Sequence, residues 1–311
     1  MIQPLTTSTR SGRPSGHCFF FQLMRHLHAF LLVAALALAA CSSDDNDNSP
    51  SVTNDNANTL AGTTRLEFPH VQPTGNLVIQ HTDDFGEPNY AVEWNISLKA
   101  QQWVCYTMTA SNMINNNVGR YDNRKPDNSP TYPEDPDLPS ELYFKADPFY
   151  RSGYDHGHLV ASQDRQRSDY QNMQTFYLTN MAPQLNRFNA GIWLKMEQRL
   201  QRLGRNRQFA DTIFVCKGGT IGATTGTLGN GVYERRSNGL VVPRYFFVAA
   251  LMVKGGNYQS VGLLFDQFAD TKEVLSIDEL ERRTGFDFFC NLPDQLEQQV
   301  ESRFSATLWN F

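Results

Sequence analysis

Long apolar runs are nearly absent from this 311-residue sequence. The one present, His28–Ala40, falls short of the roughly 20 apolar residues that a membrane-crossing helix needs. Cysteine is sparse, five in all with no Cys-x-x-Cys pair, so a zinc ribbon has no support. No internal repeat of useful length recurs, and nothing demands a second domain. A basic excess is missing as well: 27 Lys and Arg face 32 Asp and Glu, a net charge of −5, which is not the global signature of many nucleic-acid binders. A glycine-rich phosphate loop is also lacking, since Gly218-Gly219 behind the Ile213–Cys216 run reads as a plain turn. What remains is 40% hydrophobic content, enough for a proper core, and an uneven distribution of charge. Residues 151–207 carry nine basic and four acidic side chains, a local +5 within an acidic chain.

The apolar run has Arg25 before it and Cys41 behind it, the layout of a secretory signal over residues 1–40, with Met24 as the expected alternative start. Leu38-Ala39-Ala40-Cys41 resembles the lipobox of bacterial lipoproteins. That resemblance implies a lipid on Cys41, a membrane anchor there, and an outer-membrane lipoprotein facing the periplasm or the cell surface. Residues 41–61 then read as an acidic, flexible tether, rich in Ser, Asn, Asp and Thr with little to bury. Of the other cysteines, Cys105, Cys216 and Cys290 permit one bridge in an exported protein, and Cys216–Cys290 is the weakly favoured pair.

The folded domain is expected over residues 62–311. Leu77–Thr82 and Tyr90–Ile96 alternate apolar and polar residues around a turn-rich break, which suggests two antiparallel strands, and Trp103–Thr109 a third. Asn115–Pro139, dense in Asn, Asp and Pro, reads as a long surface excursion near a site. Thr175–Leu178, Ile213–Cys216, Arg244–Val253 and Ser260–Phe265 read as further strands. Asn189–Leu203 has helical spacing, Ser276-Ile277-Asp278-Glu279 is a capping box for a helix to Thr284, and Pro293 opens a last helix.

Chemistry concentrates in two blocks. Asp155-His156-Gly157-His158 puts a carboxylate and two imidazoles within four positions, with a glycine that would allow a tight bend. The stretch Thr179–Trp193, with Glu197 four residues on, holds four carboxamides and no aspartate. Neutral amide oxygens suit a hard divalent cation that keeps most of its waters. On one helix face Asn189 could ligate such an ion while Glu197 holds its waters. The competing readings are a turn for the first block, and a helix cap with a solvated charge for the second.

The two blocks, with Asn180-Met181-Ala182-Pro183-Gln184, Phe188-Asn189, Trp193 and Glu197 in that order, resemble the DNA/RNA non-specific endonucleases of the ββα-metal type, the family of the Serratia nuclease and mitochondrial endonuclease G. The similarity spans about Leu66 to Phe304 and includes Lys217-Gly218-Gly219-Thr220 and the Val242–Phe246 strand. It implies an α+β fold, a central antiparallel sheet flanked by helices, with a ββα-metal motif at the site. It also implies a sugar-non-specific endonuclease that cuts DNA and RNA with Mg2+, Mn2+ serving as substitute, and leaves 5′-phosphate ends. By position, His158 matches the general base, Asn189 the single protein ligand of the metal, and Glu197 the acid on that ion's waters. Asp155, Asn180 and Gln184 match supporting residues. Arg120 matches an arginine near the phosphate, with Arg124 as competitor.

Two positions depart from the pattern: His156 stands where the family has arginine, and Gln163 where a small residue is usual. With no base-reading element in view, recognition is expected to rest on phosphates, through His156 and the basic candidates Arg165, Arg167, Arg187 and Arg202. Two alternatives stay open. One is a zinc hydrolase using His156 and His158, although no recognisable third ligand accompanies them. The other is a surface lipoprotein that binds nucleic acid or another partner without turnover.

Overall fold

The computed structural model describes residues 53–123, 125–222 and 225–311. The expected signal segment, Cys41 and the first part of the tether lie outside the described residues, as does Arg124. Seven strands form one antiparallel sheet: β1 (Leu77–Thr82), β2 (Pro88–Asn95), β3 (Ala100–Met108), β6 (Thr212–Gly219), β9 (Tyr245–Lys254), β10 (Asn257–Asp266) and β11 (Thr271–Leu275), in the order β1-β2-β3-β6-β9-β10-β11. Two short ribbons stand apart, β4 (Asp155–His158) with β5 (Met181–Gln184), and β7 (Val232–Arg235) with β8 (Val241–Pro243).

The central strands are mostly apolar, with buried exceptions such as Gln101 in β3 and Lys217 in β6, because both faces of the sheet are covered. In β9 the period of two is visible: Phe246, Val248, Ala250 and Met252 enter one core, Phe247, Ala249 and Leu251 the other. Over the first face lies α3 (Leu194–Gly204), which buries Met196, Leu200 and Leu203 at helical spacing. Over the second lies α4 (Ile277–Thr284), with α5 (Asp294–Glu301) near by. Ser276 caps α4 by accepting from the Glu279 N–H at 3.2 Å, and Gly285, at φ +79°, ends it.

Three expectations give way. Thr175–Leu178 is not a strand: it follows α1 (Asp169–Gln174) and runs into a single turn at Leu178–Asn180, its amides returning to Asn172, Met173 and Gln174. Four apolar and aromatic residues are too few to distinguish a strand from a buried turn. The tether boundary moves as well, because Thr53–Ala61 packs on the domain. Asn54 donates to the Leu292 carbonyl at 2.8 Å, and the buried Asn58 donates to the carbonyls of Thr63 and Pro69. Asparagine-rich composition there supplies hydrogen bonds rather than solvation. Finally, Cys105, Cys216 and Cys290 are free and buried. Cys216 lies opposite Cys105 in the β3–β6 register, while Cys290 sits against Asn58, so the Cys216–Cys290 pair is not formed.

Candidate active site

β4 pairs with β5 in antiparallel register, Asp155 opposite Gln184 and His158 opposite Met181. The His-Gly-His block is therefore a strand and not a bend. Gly157 is required by close approach instead: a Cβ there would fall 2.3 Å from Cδ of the buried Gln184, whose side chain lies against the bare backbone. We expect Gly157→Ala to force the ribbon apart and cost about 1–3 kcal/mol. Thermal melting checks this, and an unchanged Tm would show that Gln184 can move aside.

Downstream of β5, the chain makes the short helix α2 (Asn186–Phe188) and a widened turn over Asn189–Trp193, kinked at Gly191 (φ −103°, ψ −110°), before α3 begins. The expected single helix is thus interrupted at its start. An open cleft of about 800 Å³ lies between β4, this turn and α3. Its lining includes Arg120, Tyr132, Asp155, His156, His158, Gln163, Asn189 and Glu197.

His158 is held by its surroundings on several sides. The Trp193 indole donates to its carbonyl at 3.2 Å, and Phe176 meets its ring edge-on at 4.8 Å. Its Nε2 has no hydrogen-bond partner among the described residues. Burial pushes the imidazole down to about 3, the nearby Arg120 guanidinium adds to the fall, and a hydrogen bond with the His156 main chain opposes it. The ring is neutral at physiological pH.

Asp155 organises the opposite wall. Its Oδ2 accepts from the Asn189 side-chain amide at 3.0 Å and from Asn186 at 2.9 Å. An amide whose nitrogen is tied to a carboxylate must present its oxygen elsewhere, and nothing among the described residues donates to Asn189 Oδ1. Glu197, on the first turn of α3, lines the same cleft, and its Oε1 has no partner among the described residues. Burial raises its carboxyl to about 8, Lys217 opposes the rise, and Asp164 adds to it. Burial in turn lowers Lys217, whose ammonium lies fully buried over the rings of Tyr106 and Trp193. A free amide oxygen and an orphaned carboxylate oxygen fit a hydrated hard cation.

His156 is sandwiched between Tyr132 at 3.7 Å and Phe149 at 4.2 Å, and both Asp147 carboxylate oxygens meet its Nε2, at 3.0 and 3.1 Å. Burial lowers its pKa while Asp147 opposes the shift. A planar guanidinium stacks on rings as well and stays charged. We expect His156→Arg to raise kcat/KM above pH 7.5, where the histidine is neutral. An unchanged or lower rate across pH 7.5–9 would discard this reading.

Arg120 reaches the cleft over Phe176, its guanidinium also paired with Asp122 at 3.3 Å. Asn180 is buried and clasps the chain just after β4, donating to the Val160 and Thr175 carbonyls and accepting from the Val160 N–H. Arg165 is a correction. It is fully buried and donates to the carbonyls of Asn89, Thr107 and Asp164, so it braces the core and cannot meet a phosphate. Arg187 is exposed but lies outside the cleft lining, donating to the Phe268 carbonyl at 2.7 Å. Arg167 stacks on Phe85. The local +5 is thus spread over the fold rather than gathered at the site. Sequence reasoning did not single out Tyr132, Phe149, Asp147, Asn186 or Lys217. Of these, Asn186 is one of four amides in its stretch, Lys217 opens the Lys217-Gly218-Gly219-Thr220 match, and Tyr132 lies in the Asn115–Pro139 excursion, whereas Asp147 and Phe149 carried no signal.

The zinc alternative finds no third ligand beside His156 and His158 among the described residues. Among the described residues the groups able to offer three clustered metal ligands are His81, Asp135 and Asp137, and Asp278, Glu281 and Glu301, away from these histidines.

The chain is similar to known proteins over most of its length. The family model described as DNA/RNA non-specific endonuclease matches residues 78–295. Nuclease C1 of Cunninghamella echinulata var. echinulata is 28% identical over 71% of this chain and 90% of its own length. The mitochondrial endonuclease G of Caenorhabditis elegans is 24% identical over 71% of this chain and 73% of its own. Among solved structures, an EndoG/EndoGI complex aligns with TM-score 0.56 at 20% identity, covering 70% of this chain and 87% of that one. At that identity it speaks for the fold alone.

Proposed function

The chain belongs to the DNA/RNA non-specific endonuclease family and is a nuclease, a hydrolase of nucleic acids; from that premise we propose that it cuts both DNA and RNA by a metal-dependent, His158-assisted hydrolysis that leaves 5′-phosphate ends. The observation that carries this reading is the convergence on one cleft of a neutral imidazole with a free Nε2, an amide oxygen freed by Asp155, and an orphaned Glu197 oxygen.

His158 Nε2 takes a proton from water as the water oxygen attacks phosphorus, and the P–O3′ bond breaks with its electron pair on the departing oxygen, which is then protonated. Burial makes the resulting imidazolium costly, and the negative charge of a seated phosphate offsets that cost, so the base strengthens when substrate is in place. Arg120, the cation among the described lining residues, faces the same phosphate. Asn189 and Glu197 would hold Mg2+ or Mn2+, which when bound neutralises charge on the phosphate and the leaving oxygen. Recognition through the backbone is indifferent to base and sugar. Attachment to the outer membrane through lipid on Cys41 belongs to the same proposal.

The test incubates the purified full chain with supercoiled plasmid and with total RNA, with Mg2+ or with EDTA. Degradation of both, abolished by EDTA and leaving ends that a ligase accepts without prior phosphorylation, is the expected result. Binding without cleavage would support the non-catalytic alternative.

A further inference from the structure

Helices α4 and α5 bring carboxylates together on the second face of the sheet, opposite α3. Asp278 and Glu281 come from α4, Glu297 and Glu301 from α5, and Asp287 from the connection between them. Oxygens of Asp278, Glu281 and Glu301 all lie within 4.8 Å of one another. Glu301 is only 7% exposed, and its Oε1 has no hydrogen-bond partner among the described residues. The charges that act on it, from Glu281, Glu297, Asp287 and Asp278, are all negative, and with burial they push it up to about 10. The arginines of α4 are turned elsewhere, Arg282 to Glu279 and Arg283 to Glu279 and Glu273. His70 acts at the edge of the group only through Asp287.

Buried like charges so close need either protons or a cation. Several carboxylates already have partners: Asn56 bridges Asp287 and Glu297, and Glu281 Oε1 accepts from the Phe288 N–H at 2.7 Å. The Glu301 oxygen does not. Its companions offer oxygen only, which excludes soft metals, and the exposed Asp278 leaves one side open to water. Calcium accepts six to eight oxygens at about 2.3–2.6 Å, so two opposed ligands lie about 4.8 Å apart, and it tolerates irregular geometry that magnesium does not.

We propose that Asp278, Glu281 and Glu301 hold a hard divalent cation, calcium by their chemistry, that clamps α4 to α5 away from the catalytic cleft. The ion is structural, and it binds irrespective of the nuclease reaction.

The experiment strips the full chain with EDTA, exchanges it into metal-free buffer at pH 7.5, and adds CaCl2 while following thermal melting and radioactive calcium in equilibrium dialysis. Saturation at about a hundred times Kd is expected to raise Tm by roughly 5–10 °C. Asn189→Ala should keep this response, since it touches only the cleft. Glu301→Gln should weaken calcium binding about tenfold or more. The substitution is isosteric and removes a repelled charge; should it fail to fold, the exposed Asp278→Asn takes its place under the same criterion. The proposal is overturned by the absence of a calcium response, by a response lost in Asn189→Ala, or by a smaller loss of affinity in the folded cluster variant.

Discussion

His158→Ala should lower kcat/KM for plasmid cleavage by about 10²–10⁴, the range that a positioned general base supplies. The ring makes none of the hydrogen bonds that hold the strand, because β4 is held to β5 by main-chain bonds and the Trp193 indole binds the His158 carbonyl, not its side chain. The variant should therefore keep its circular dichroism spectrum and its affinity for Mg2+. Truncation does leave a gap beside Phe176, which costs a few kcal/mol by ordinary core arithmetic. His158→Asn fills part of that gap and should be equally inactive. A folded variant whose rate stays within tenfold of the parent would mean that another group takes the proton.

Asp155→Ala should raise the Mg2+ concentration for half-maximal activity about 10–100-fold, the usual consequence of losing a group that orients a ligand. Without Asp155 Oδ2 the amides of both Asn186 and Asn189 lose their anchor, and Asn189 is free to present nitrogen where oxygen is wanted. Because the defect is one of orientation, saturating Mg2+ should restore most of kcat. A kcat that stays low at any Mg2+ concentration would give Asp155 a direct part in the chemistry. Measuring both constants in one titration separates the two roles.

How far each feature was legible depended on how local its cause is. Six of the seven sheet strands were legible from runs such as Tyr245–Lys254, where a strand buried on both faces writes itself as unbroken hydrophobicity, whereas the edge strand β11, Thr271–Leu275, is charged and largely exposed and went unseen. The α4 cap was legible for the same reason, since Ser276 and Glu279 are three residues apart. His158, Asn189, Glu197 and Asp155 could be picked out as types, and the fold brings all four to one cleft. What the sequence hides is direction. Arg165 and Arg167 are two residues apart in one basic stretch, yet one is sealed in the core and the other stacks on an exposed phenylalanine. Gly157 had a visible importance and an invisible reason, because the Gln184 side chain that needs its bare Cα lies across the ribbon. Tyr132 boxes His156 from the excursion expected near a site, but its partners Asp147 and Phe149 come from beyond that segment, where nothing in the sequence marked them.

The widened turn before α3 is a matter of phase. An α-helix rotates about 100° per residue, so Asn189 and Glu197, eight residues apart, would miss alignment by about 80° on a regular helix. A turn that spends one extra residue takes back most of that angle. The kink at Gly191 lies between an amide and a carboxylate that line one cleft, where it can act as a vernier on their relative direction. Along this segment chain length is as binding a constraint as residue identity: straightening the helix would keep every side chain and turn the two halves of the site away from each other.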